Sequence, residues 1–505
     1  MSHGNPLDRM GKDEFLLPVA APPIPVPPWV GSPPWIFLPD PIDGILPFIA
    51  VDLVRAVFSV DLYARKARKF TFCINLVEMG IPEYDVLGGY DAMMIQRHIL
   101  PILEQTVEEY SVTLVTGARQ VGKTTLVSLF RQRGYSYVTF DDTDLLKEAK
   151  SKPKKFVEEH PAPIIIDEAQ RAVEIFPEIE AAVNKAKLEK GSAASNGMYI
   201  LTGSQKFVLM QGVSESMSGR VGIVEMPPLS QAEIRGWGSS AFLVDNEAMS
   251  AKSDSRSLSD NDLYLSIVRG FYPARWEIEG KPIRNYFANY LKTYLERDVS
   301  KLVNIRDLSK FENLLRVLAS LTGEEFVADN VAKTVGVDKN TVSSWTGILQ
   351  ASGIVTLLPP YYEESMNKRI VKRKKIYFND TGFACYLIGI DTPKTLRLSA
   401  FRGRLVETYI HNEIRKSYVN FGIDDRNMFY YRDNNQNEID LILLRDGALE
   451  RIECKSGKLF TSKDIKGFAQ VSQTSFELGG SCIICLCEEP YRIAPNTFAF
   501  PVRCI

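Results

Sequence analysis

The feature that most constrains this chain is the segment from Gly117 to Thr124, which has the spacing G-x-x-x-x-G-K-T. A short apolar run ending at Val115 precedes it, and a helix-like pattern beginning at Leu126 follows it. In this strand–loop–helix context the backbone N–H groups wrap around phosphates, aided by the positive end of the helix dipole. The alternative is a glycine-containing turn without a ligand. The segment predicts a nucleotide-binding α/β fold in which Lys123 reaches the terminal phosphates.

The nucleotide site is expected to combine this loop with the end of a second strand. The predicted ATP-binding residues are Gly117, Ala118, Arg119, Gln120, Val121, Gly122, Lys123, Thr124 and Thr125. The apolar strand at 163–166 ends in Asp167 and Glu168. Thr124 and Asp167 are predicted to hold Mg²⁺ with ATP, while Lys123 and Glu168 are the predicted catalytic residues, Glu168 orienting or deprotonating the attacking water. The alternative is a helix start that is merely rich in acid.

Three more polar residues follow the later strands of this region. Thr202 or Ser204 could sense the γ-phosphate, or could instead cap the next helix. Arg220 could stabilise transition-state charge, or could be an unpaired surface arginine. Strands interleaved with helices predict a P-loop NTPase (AAA+-like) parallel sheet with its site at the carboxyl ends of the strands.

Composition sets limits on the class of protein. A chain of 505 residues should hold about three domains, and 45% hydrophobic with 24% charged residues is typical of a soluble globular protein. A net charge of −2 argues against wholesale non-specific nucleic-acid binding, though not against a local basic surface. The seven cysteines are scattered, and Cys482, Cys485 and Cys487 alternate with apolar residues, which favours buried strand thiols over a metal site. We expect no membrane span and a cytoplasmic location.

The chain divides into regions of different composition. Eight prolines between Pro18 and Pro34 predict an extended, disordered leader, with a docking ligand for a partner as the alternative. The folded protein is expected to begin near Met94, in a helix opening at 93–97. The predicted regions are a leader at 1–92, a P-loop ATPase core at 93–237, a linker and helical lid at 238–305, a winged helix at 306–380 and a nuclease-like domain at 381–505. Within the lid, 238–262 is predicted to be a mobile insertion because it is rich in Ser, Asp and Lys.

The winged-helix prediction is drawn from residues 327–378. Helices are expected at 327–335 and 340–351, with Asp338 capping the second and Gly353 ending it, followed by wing strands at 354–358 and 374–378. Six of the eight residues from Lys368 to Lys375 are basic. Such a run could contact DNA phosphates while the Thr341–Trp345 face enters a groove. The alternative is a solvated hairpin on a protein-binding winged helix.

The last region shows a second pattern with chemical meaning. Asp446-Gly447 predicts a two-residue hairpin between strands at 438–444 and 449–455, which places Asp440 directly opposite Glu453. Opposed carboxylates fit a second Mg²⁺ or a Mn²⁺, with Glu407 from a preceding helix as a third ligand. With Lys455 on the same face, Asp440, Glu453 and Lys455 become candidate catalytic residues of a metal-dependent nuclease. The alternative is an ordinary Lys455–Glu438 ion pair at a wet sheet edge.

The order of these motifs resembles a large prokaryotic family of AAA+-like ATP-binding proteins. Their C-terminal domain is of unknown function and is similar to restriction endonucleases of the PD-(D/E)xK type. The matching segments lie at 117–125, 166–170, 201–204, 219–220, 228–230, 294–298, 380–382, 431–433, 438–440 and 452–455. The resemblance implies ATP binding and a restriction-endonuclease-like α/β domain after a winged helix.

The sequence therefore predicts an ATP-hydrolysing, DNA-engaging protein coupled to a metal-dependent nuclease domain. The alternative is a nucleotide-switched scaffold or signalling ATPase whose C-terminal domain binds a partner and cuts nothing. A protein partner and a homo-oligomer both remain open at this point.

Overall fold

The structure is a computed structural model that describes residues 95–204, 209, 219–277, 282–295, 308–362, 373–471 and 474–505. Several expectations lie outside these ranges. They are the leader at 1–92, the last three residues of the family-matching segment at 294–298, and the basic residues Lys368, Arg369 and Lys372.

A parallel sheet forms the first part of the fold. Its strands are β1 (Val112–Thr116), β2 (Ser136–Thr139), β3 (Ile164–Asp167), β4 (Tyr199–Thr202) and β5 (Val221–Glu225). The order across the sheet is β2-β3-β4-β1-β5, and every neighbouring pair is parallel. Strands β1, β3 and β4 are buried along their whole length, as expected for strands covered on both faces. The carboxyl ends of β1, β3 and β4 therefore meet at one edge.

Six helices accompany this sheet. They are α1 (Leu100–Glu109), α2 (Lys123–Ser128), α3 (Thr143–Ser151), α4 (Pro153–Glu159), α5 (Phe176–Lys190) and α6 (Gln231–Arg235). The first helix was expected to open at 93–97 but begins at Leu100, with Pro101 in its first turn, where a missing N–H is tolerated. The predicted α/β organisation of this region is confirmed.

The middle of the chain is mainly helical. Its elements are α7 (Asn246–Ser255), α8 (Asp260–Arg269), α9 (Ile283–Tyr294), α10 (Leu308–Ser320), β6 (Glu324–Phe326), α11 (Ala328–Val335), α12 (Lys339–Ala351), β7 (Val355–Leu358), β8 (Lys374–Phe378), α13 (Thr381–Leu387) and α14 (Pro393–Leu398). The three strands form an antiparallel sheet in the order β6-β8-β7. Asp338 caps α12 by accepting from the N–H of Thr341 at 2.9 Å, as predicted.

The segment expected to be a mobile insertion contains a packed helix. Asp245 caps α7 by accepting from the N–H of Ala248 at 2.7 Å, and Met249 and Ser253 of that helix are buried. A polar composition concealed this helix because only one face of it is covered.

A mixed sheet forms the last part of the fold, next to the long helix α15 (Arg402–Asn420). Its strands are β9 (Met428–Arg432), β10 (Glu438–Arg445), β11 (Ala448–Cys454), β12 (Glu477–Cys485), β13 (Tyr491–Ala494) and β14 (Thr497–Pro501). Their order is β13-β14-β12-β11-β10-β9. The pairing of Leu444 with Leu449 and of Ile442 with Arg451 confirms the predicted hairpin register.

The cysteines and the longest apolar helices can be checked within the described ranges. Cys482, Cys485 and Cys487 are buried and carry free thiols, the first two in β12. No helix there is long and apolar enough to cross a membrane.

Candidate functional site

The loop between β1 and α2 has the wrapped conformation that its glycines permit. Gly117 and Gly122 have φ angles of 143° and 94°, in the region that favours glycine, and Gln120 has a φ of 65°. A Cβ at Gly117 would lie 2.3 Å from the carbonyl oxygen of Met226, so no other residue fits there. Gly122 immediately precedes α2, which begins at Lys123. The loop therefore presents its backbone at the start of a helix, as a phosphate-binding loop requires.

Lys123 is folded back over this loop. Its side chain is buried, and Nζ donates to the carbonyl oxygens of Gly117 at 3.0 Å and Ala118 at 2.8 Å. Both of these acceptors are neutral carbonyl groups, which an anion entering the loop could replace as partners of the ammonium.

Asp167 ends β3 beside the loop and accepts hydrogen bonds from three hydroxyl groups. Thr124 and Tyr137 each donate to Oδ2 at 3.0 Å, and Thr202 donates to Oδ1. Burial, and then the Asp167 charge, raises the pKa of Tyr137 to about 12, so this phenol stays a donor. Thr124 and Asp167 lie 43 positions apart in the chain, and the fold brings them into direct contact.

Glu168 follows in a backbone conformation that is uncommon for a residue with a side chain. Its φ is 57°, and its N–H donates to Thr202 Oγ1 at 3.3 Å. The side chain makes no helix cap and accepts instead from the Gln170 amide, next to a helical turn of only three residues. Burial raises the pKa of Glu168. An acid-rich helix start therefore does not describe this residue.

The polar residues after β4 and before β5 have different surroundings. The Thr202 hydroxyl donates to Asp167 Oδ1, and its oxygen accepts from the N–H of Glu168. Arg220 lies at the other end of the sheet, where its carbonyl oxygen accepts from the N–H of Val112 at the start of β1. Its guanidinium contacts Glu180 at 3.1 Å and Asn184 at 2.9 Å. Arg220 is therefore paired, so its interpretation as an unpaired surface arginine is wrong, and it lies away from the phosphate loop of its own chain.

A cleft of about 420 Å³ opens beside the loop. Its apolar lining comes from Ile95, Leu100, Val121, Leu126, Leu129, Met226, Leu229 and Pro273. Arg97 fixes one wall by donating to the carbonyl oxygens of Val121 at 2.8 Å and Pro227 at 2.7 Å, and by pairing with buried Glu233 at 3.0 Å. Sequence reasoning missed Arg97, because its partners, two carbonyl oxygens and the Glu233 carboxylate, lie far from it along the chain.

The middle of the chain contacts the phosphate loop at two points. Tyr286 in α9 donates to Gln120 Oε1 at 2.6 Å. Gly353, just after α12, has a φ of 69°, and a Cβ there would lie 3.2 Å from the backbone nitrogen of Ala118. The turn between α12 and β7 thus rests directly on the loop.

The C-terminal carboxylates lie together, as the hairpin register predicted. Asp440 and Glu453 are 7% and 3% exposed, and Lys455 Nζ lies 2.6 Å from Glu453 and 3.4 Å from Asp440. Lys455 makes no pair with Glu438, and these carboxylates do not lie at a wet edge, so the alternative interpretation of this hairpin is wrong. Glu407 lines the same polar cleft of about 400 Å³.

The cleft also contains a lysine that sequence reasoning assigned elsewhere. Lys375 in β8 was expected on a basic wing, but its side chain is 2% exposed and its Nζ pairs with Glu407 at 2.9 Å and Asp440 at 3.4 Å. Trp345 was expected to face a groove, but it is buried against Phe311, with ring centroids 5.3 Å apart. Both corrections arise because these side chains face the core between regions that a linear pattern treats as separate.

Two lysines, Lys375 and Lys455, offset negative charge of the carboxylates in the cleft. Although burial opposes ionisation of Asp440, Lys375 and Lys455 lower the pKa of that carboxyl below its usual value. Burial, together with the neighbouring Asp440, raises the pKa of Glu453. Burial also raises the pKa of Glu407. Of the opposed pair, Asp440 is thus the carboxyl that stays ionised.

Oxygen ligands of this kind suit Mg²⁺ or Mn²⁺, yet their arrangement does not. In the part of the chain that the structure describes, no group of three or more His, Cys, Asp or Glu side chains is placed to hold a metal ion. The ammonium of Lys375 lies between Glu407 and Asp440, where such an ion would have to bind.

Comparison with known proteins gives matches along most of the described chain. A family model described as an AAA domain matches residues 109–235. Two models of domains of unknown function, DUF8612 and DUF4143, match residues 260–394 and 402–505.

Relatives and solved structures show more distant likeness. Uncharacterized proteins of Mycobacterium tuberculosis and Mycobacterium bovis are each 26% identical over 367 residues, which is 72% of this chain and 74% of theirs. A Walker-type ATPase of Pyrococcus abyssi is 16% identical with a TM-score of 0.36, covering 57% of this chain and 94% of that one. AMPPCP-bound DnaA from Aquifex aeolicus is 12% identical with a TM-score of 0.22, covering 50% of this chain and 85% of that one.

The AAA match spans the loop, β3 and β4, which are the elements that form the site at the sheet edge. The chain therefore contains an AAA-type P-loop ATPase domain, a domain type that implies ATP and, typically, Mg²⁺.

Proposed function

We propose that the protein binds Mg²⁺ and ATP at the phosphate loop, hydrolyses the nucleotide there, and uses the nucleotide state to control a DNA-engaging middle region. The observation that carries the first part is the contact of Thr124 with Asp167 directly beside the loop that holds Lys123. The backbone N–H groups of residues 117–125 would hold the phosphates, and Lys123 would move from the loop carbonyls to the terminal phosphates.

Thr124 and Asp167 fit a Mg²⁺ site because their present partners are neutral. The Thr124 hydroxyl can turn from Asp167 to a metal ion, and Asp167 keeps hydrogen bonds from Tyr137 and Thr202 that fix its carboxylate. The metal would neutralise charge on the phosphates. The apolar cleft beside Gly122 is the proposed seat of the nucleoside.

Glu168 is the proposed base or positioning group for the attacking water. Burial raises its pKa, which makes it a better proton acceptor, while the unusual backbone holds it at the mouth of the site. Glu168→Gln should keep ATP binding and lower hydrolysis by about 100-fold or more, measured as phosphate release and as nucleotide affinity. Glu174→Gln, an exposed acid nearby, is the matched control. Hydrolysis unchanged in Glu168→Gln would remove this residue from the mechanism.

For DNA, the proposal rests on the helices α11 and α12 followed by β7 and β8, the order of a winged helix. The exposed residues of α12 are Lys339, Asn340, Ser343, Ser344, Gly347 and Gln350, and Lys339 pairs with Asp329 at 2.8 Å. Arg373 stands exposed at the start of β8 and contacts Glu325 at 3.4 Å, and half-buried Lys374 follows it. These groups are the ones offered to phosphates in the described part of the wing.

A salt titration of DNA affinity tests this proposal. Replacing Arg373 and Lys374 with alanine should weaken binding and reduce the slope of log K against log salt by about one for each phosphate that the protein no longer neutralises. Lys185→Ala, an exposed lysine of the ATPase region, should leave the slope unchanged. An unchanged slope in the wing variant would leave a protein partner as the ligand of this region.

The contact of Gly353 with Ala118 supports coupling between the nucleotide and this region. Ala118, whose carbonyl oxygen accepts from Lys123, also lies against the turn before β7. We place the protein in the cytoplasm. We also propose that a second copy of the chain supplies an arginine for hydrolysis. Sedimentation with and without ATP would show whether the chain forms such an oligomer.

A second candidate function is a metal-dependent nuclease in the C-terminal region. It is favoured by Asp440 and Glu453 facing each other with Lys455 between them, in a cleft whose rim carries Lys463 and Lys466. Cleavage of mixed single- and double-stranded DNA with Mn²⁺, with and without ATP, should disappear in Asp440→Ala. If no cutting accompanies normal ATP hydrolysis, the protein is a nucleotide-switched scaffold with a binding domain at its C-terminal end.

A further inference from the structure

A buried lysine from one matched region reaches into the cleft of another. Lys375 belongs to β8, within the region matched at 260–394, whereas the carboxylates of the cleft lie within the region matched at 402–505. Its Nζ lies 2.9 Å from Glu407, 2.5 Å from Glu438 and 3.4 Å from Asp440. Three carboxylates from α15 and β10 thus converge on one cation, and that cation is part of the protein.

Three of the carboxylate oxygens that a metal ion could use are already engaged. Asp440 Oδ1 faces Lys375, while Oδ2 accepts from the Cys454 N–H at 2.9 Å and faces Lys455 at 3.4 Å. Glu407 Oε1 accepts from Lys375 and from the Tyr377 hydroxyl at 2.7 Å. An ammonium has three N–H donors and no acceptor, so it satisfies these carboxylates by hydrogen bonding as well as by charge.

A divalent ion shared by Glu407 and Asp440 would need oxygens at roughly 2.0–2.5 Å. It would then lie within a few ångströms of the Lys375 ammonium, in a buried site where like charges are poorly screened. The lysine and the metal ion therefore exclude each other.

We propose that Lys375 is a built-in blocking cation that keeps divalent metal out of the C-terminal cleft. The proposal rests on the candidate nuclease function and concerns its regulation. It accounts for a cleft that has the ligand types of a metal site without a free place for the ion.

Binding of Mn²⁺ to the full chain without nucleotide tests the proposal, with free Mn²⁺ followed by electron paramagnetic resonance. Lys375→Met should bind Mn²⁺ at least ten-fold more tightly than the wild type, and the gain should vanish in Lys375→Met combined with Asp440→Asn. Lys375→Arg keeps the charge and should stay like the wild type. Lys394→Met, which removes an exposed lysine of α14 in the same matched region, is the control for a general charge effect.

Lys375→Met leaves buried carboxylates without a counter-charge, so its stability needs a second readout. Addition of Mn²⁺ should raise the melting temperature of Lys375→Met and leave that of Lys375→Arg unchanged. If the wild type binds Mn²⁺ as tightly as Lys375→Met, and Asp440→Asn abolishes this, the blocking role is overturned while the metal site stands. If folded Lys375→Met neither binds Mn²⁺ nor gains stability from it, both the blocking role and the metal site are overturned.

Discussion

The nucleotide site and the C-terminal cleft both place a lysine beside carboxylates, but they hold these groups in opposite ways. At the nucleotide site, Lys123 donates to the backbone carbonyls of Gly117 and Ala118, and Asp167 accepts from hydroxyl groups, so the partners in these hydrogen bonds are neutral. In the cleft, Lys375 and Lys455 are ion-paired with buried carboxylates. Neutral partners can be exchanged for a ligand at small cost, whereas a buried ion pair that loses one member leaves an uncompensated charge. The nucleotide site can therefore accept a charged ligand, whereas the charged groups of the C-terminal cleft are already paired with one another.

The largest effect on activity should come from a substitution at the nucleotide site. Lys123→Ala removes the ammonium proposed to meet the terminal phosphates and should lower ATP hydrolysis by about 100-fold or more, the usual loss for one key electrostatic group. Lys147→Ala, an exposed lysine of α3, is the control for a general charge effect. Phosphate release within a few-fold of wild type in Lys123→Ala would break the comparison at its first half.

Stability should separate the two lysines in the opposite direction. Lys375→Met should lower the free energy of unfolding by about 3 kcal/mol because it strands buried carboxylates, while Lys123→Met, which removes the hydrogen bonds to the carbonyl oxygens of Gly117 and Ala118, should lower it by about 1 kcal/mol. Adding Glu407→Gln to Lys375→Met should recover part of the loss. Urea titrations of the three variants measure this, and equal losses for the two lysines would contradict the contrast.

The contact between the turn after α12 and the phosphate loop can be tested with a matched pair of glycines. Gly353 and Gly336 both have positive φ angles, of 69° and 76°, but a Cβ at Gly336 would meet no atom within 4 Å. Each change to alanine should lower stability by about 1 kcal/mol. Only Gly353→Ala should also weaken ATP affinity, by about ten-fold or roughly 1.4 kcal/mol, because it presses on Ala118. Isothermal titration calorimetry measures the ATP affinity of both variants. Equal affinities would mean that the turn after α12 does not affect nucleotide binding at the loop.

The smallest effect concerns a neutral group beneath the cleft. His411 in α15 is buried and stacks on Tyr377 at 3.9 Å, and burial lowers the pKa of His411 to about 3. The unfolded chain takes up this proton near pH 6.5, so His411 should make the fold less stable as pH falls, by about 1.4 kcal/mol per pH unit below 6.5. Urea midpoints at pH 6.5 and 5.5 should therefore fall further for the wild type than for His411→Gln. Parallel changes would show that His411 is protonated in the fold.

The two regions also differ in how far the sequence predicts them. The phosphate loop and the end of β3 are local patterns, and parallel strands necessarily bring Thr124, Lys123 and Asp167 to one edge. The Asp446-Gly447 turn likewise sets the register that opposes Asp440 and Glu453. These predictions need no knowledge of how distant elements pack.

What the sequence does not reveal depends on such packing. Lys375 belongs to a run of basic residues that a linear pattern places on the surface, and only the contact of β8 with α15 and β10 buries it. Arg97 is similar, because its partners are the carbonyl oxygens of Val121 and Pro227. Neither position carries a periodic signal, so a single sequence gives no sign of the role.

Helix α15 contacts residues of other matched regions, so these regions should not be studied as separate fragments. Besides Glu407, it carries Lys416, which donates to the carbonyl oxygen of Leu229 at 2.8 Å, and Glu413, which accepts from the N–H of Gln231 at 2.9 Å. A fragment of residues 402–505 would expose these buried charges and would lack Lys375 altogether. Activity measured on such a fragment would describe a cleft that lacks Lys375. Inactivity would reflect the loss of the contacts that α15 makes with the rest of the chain.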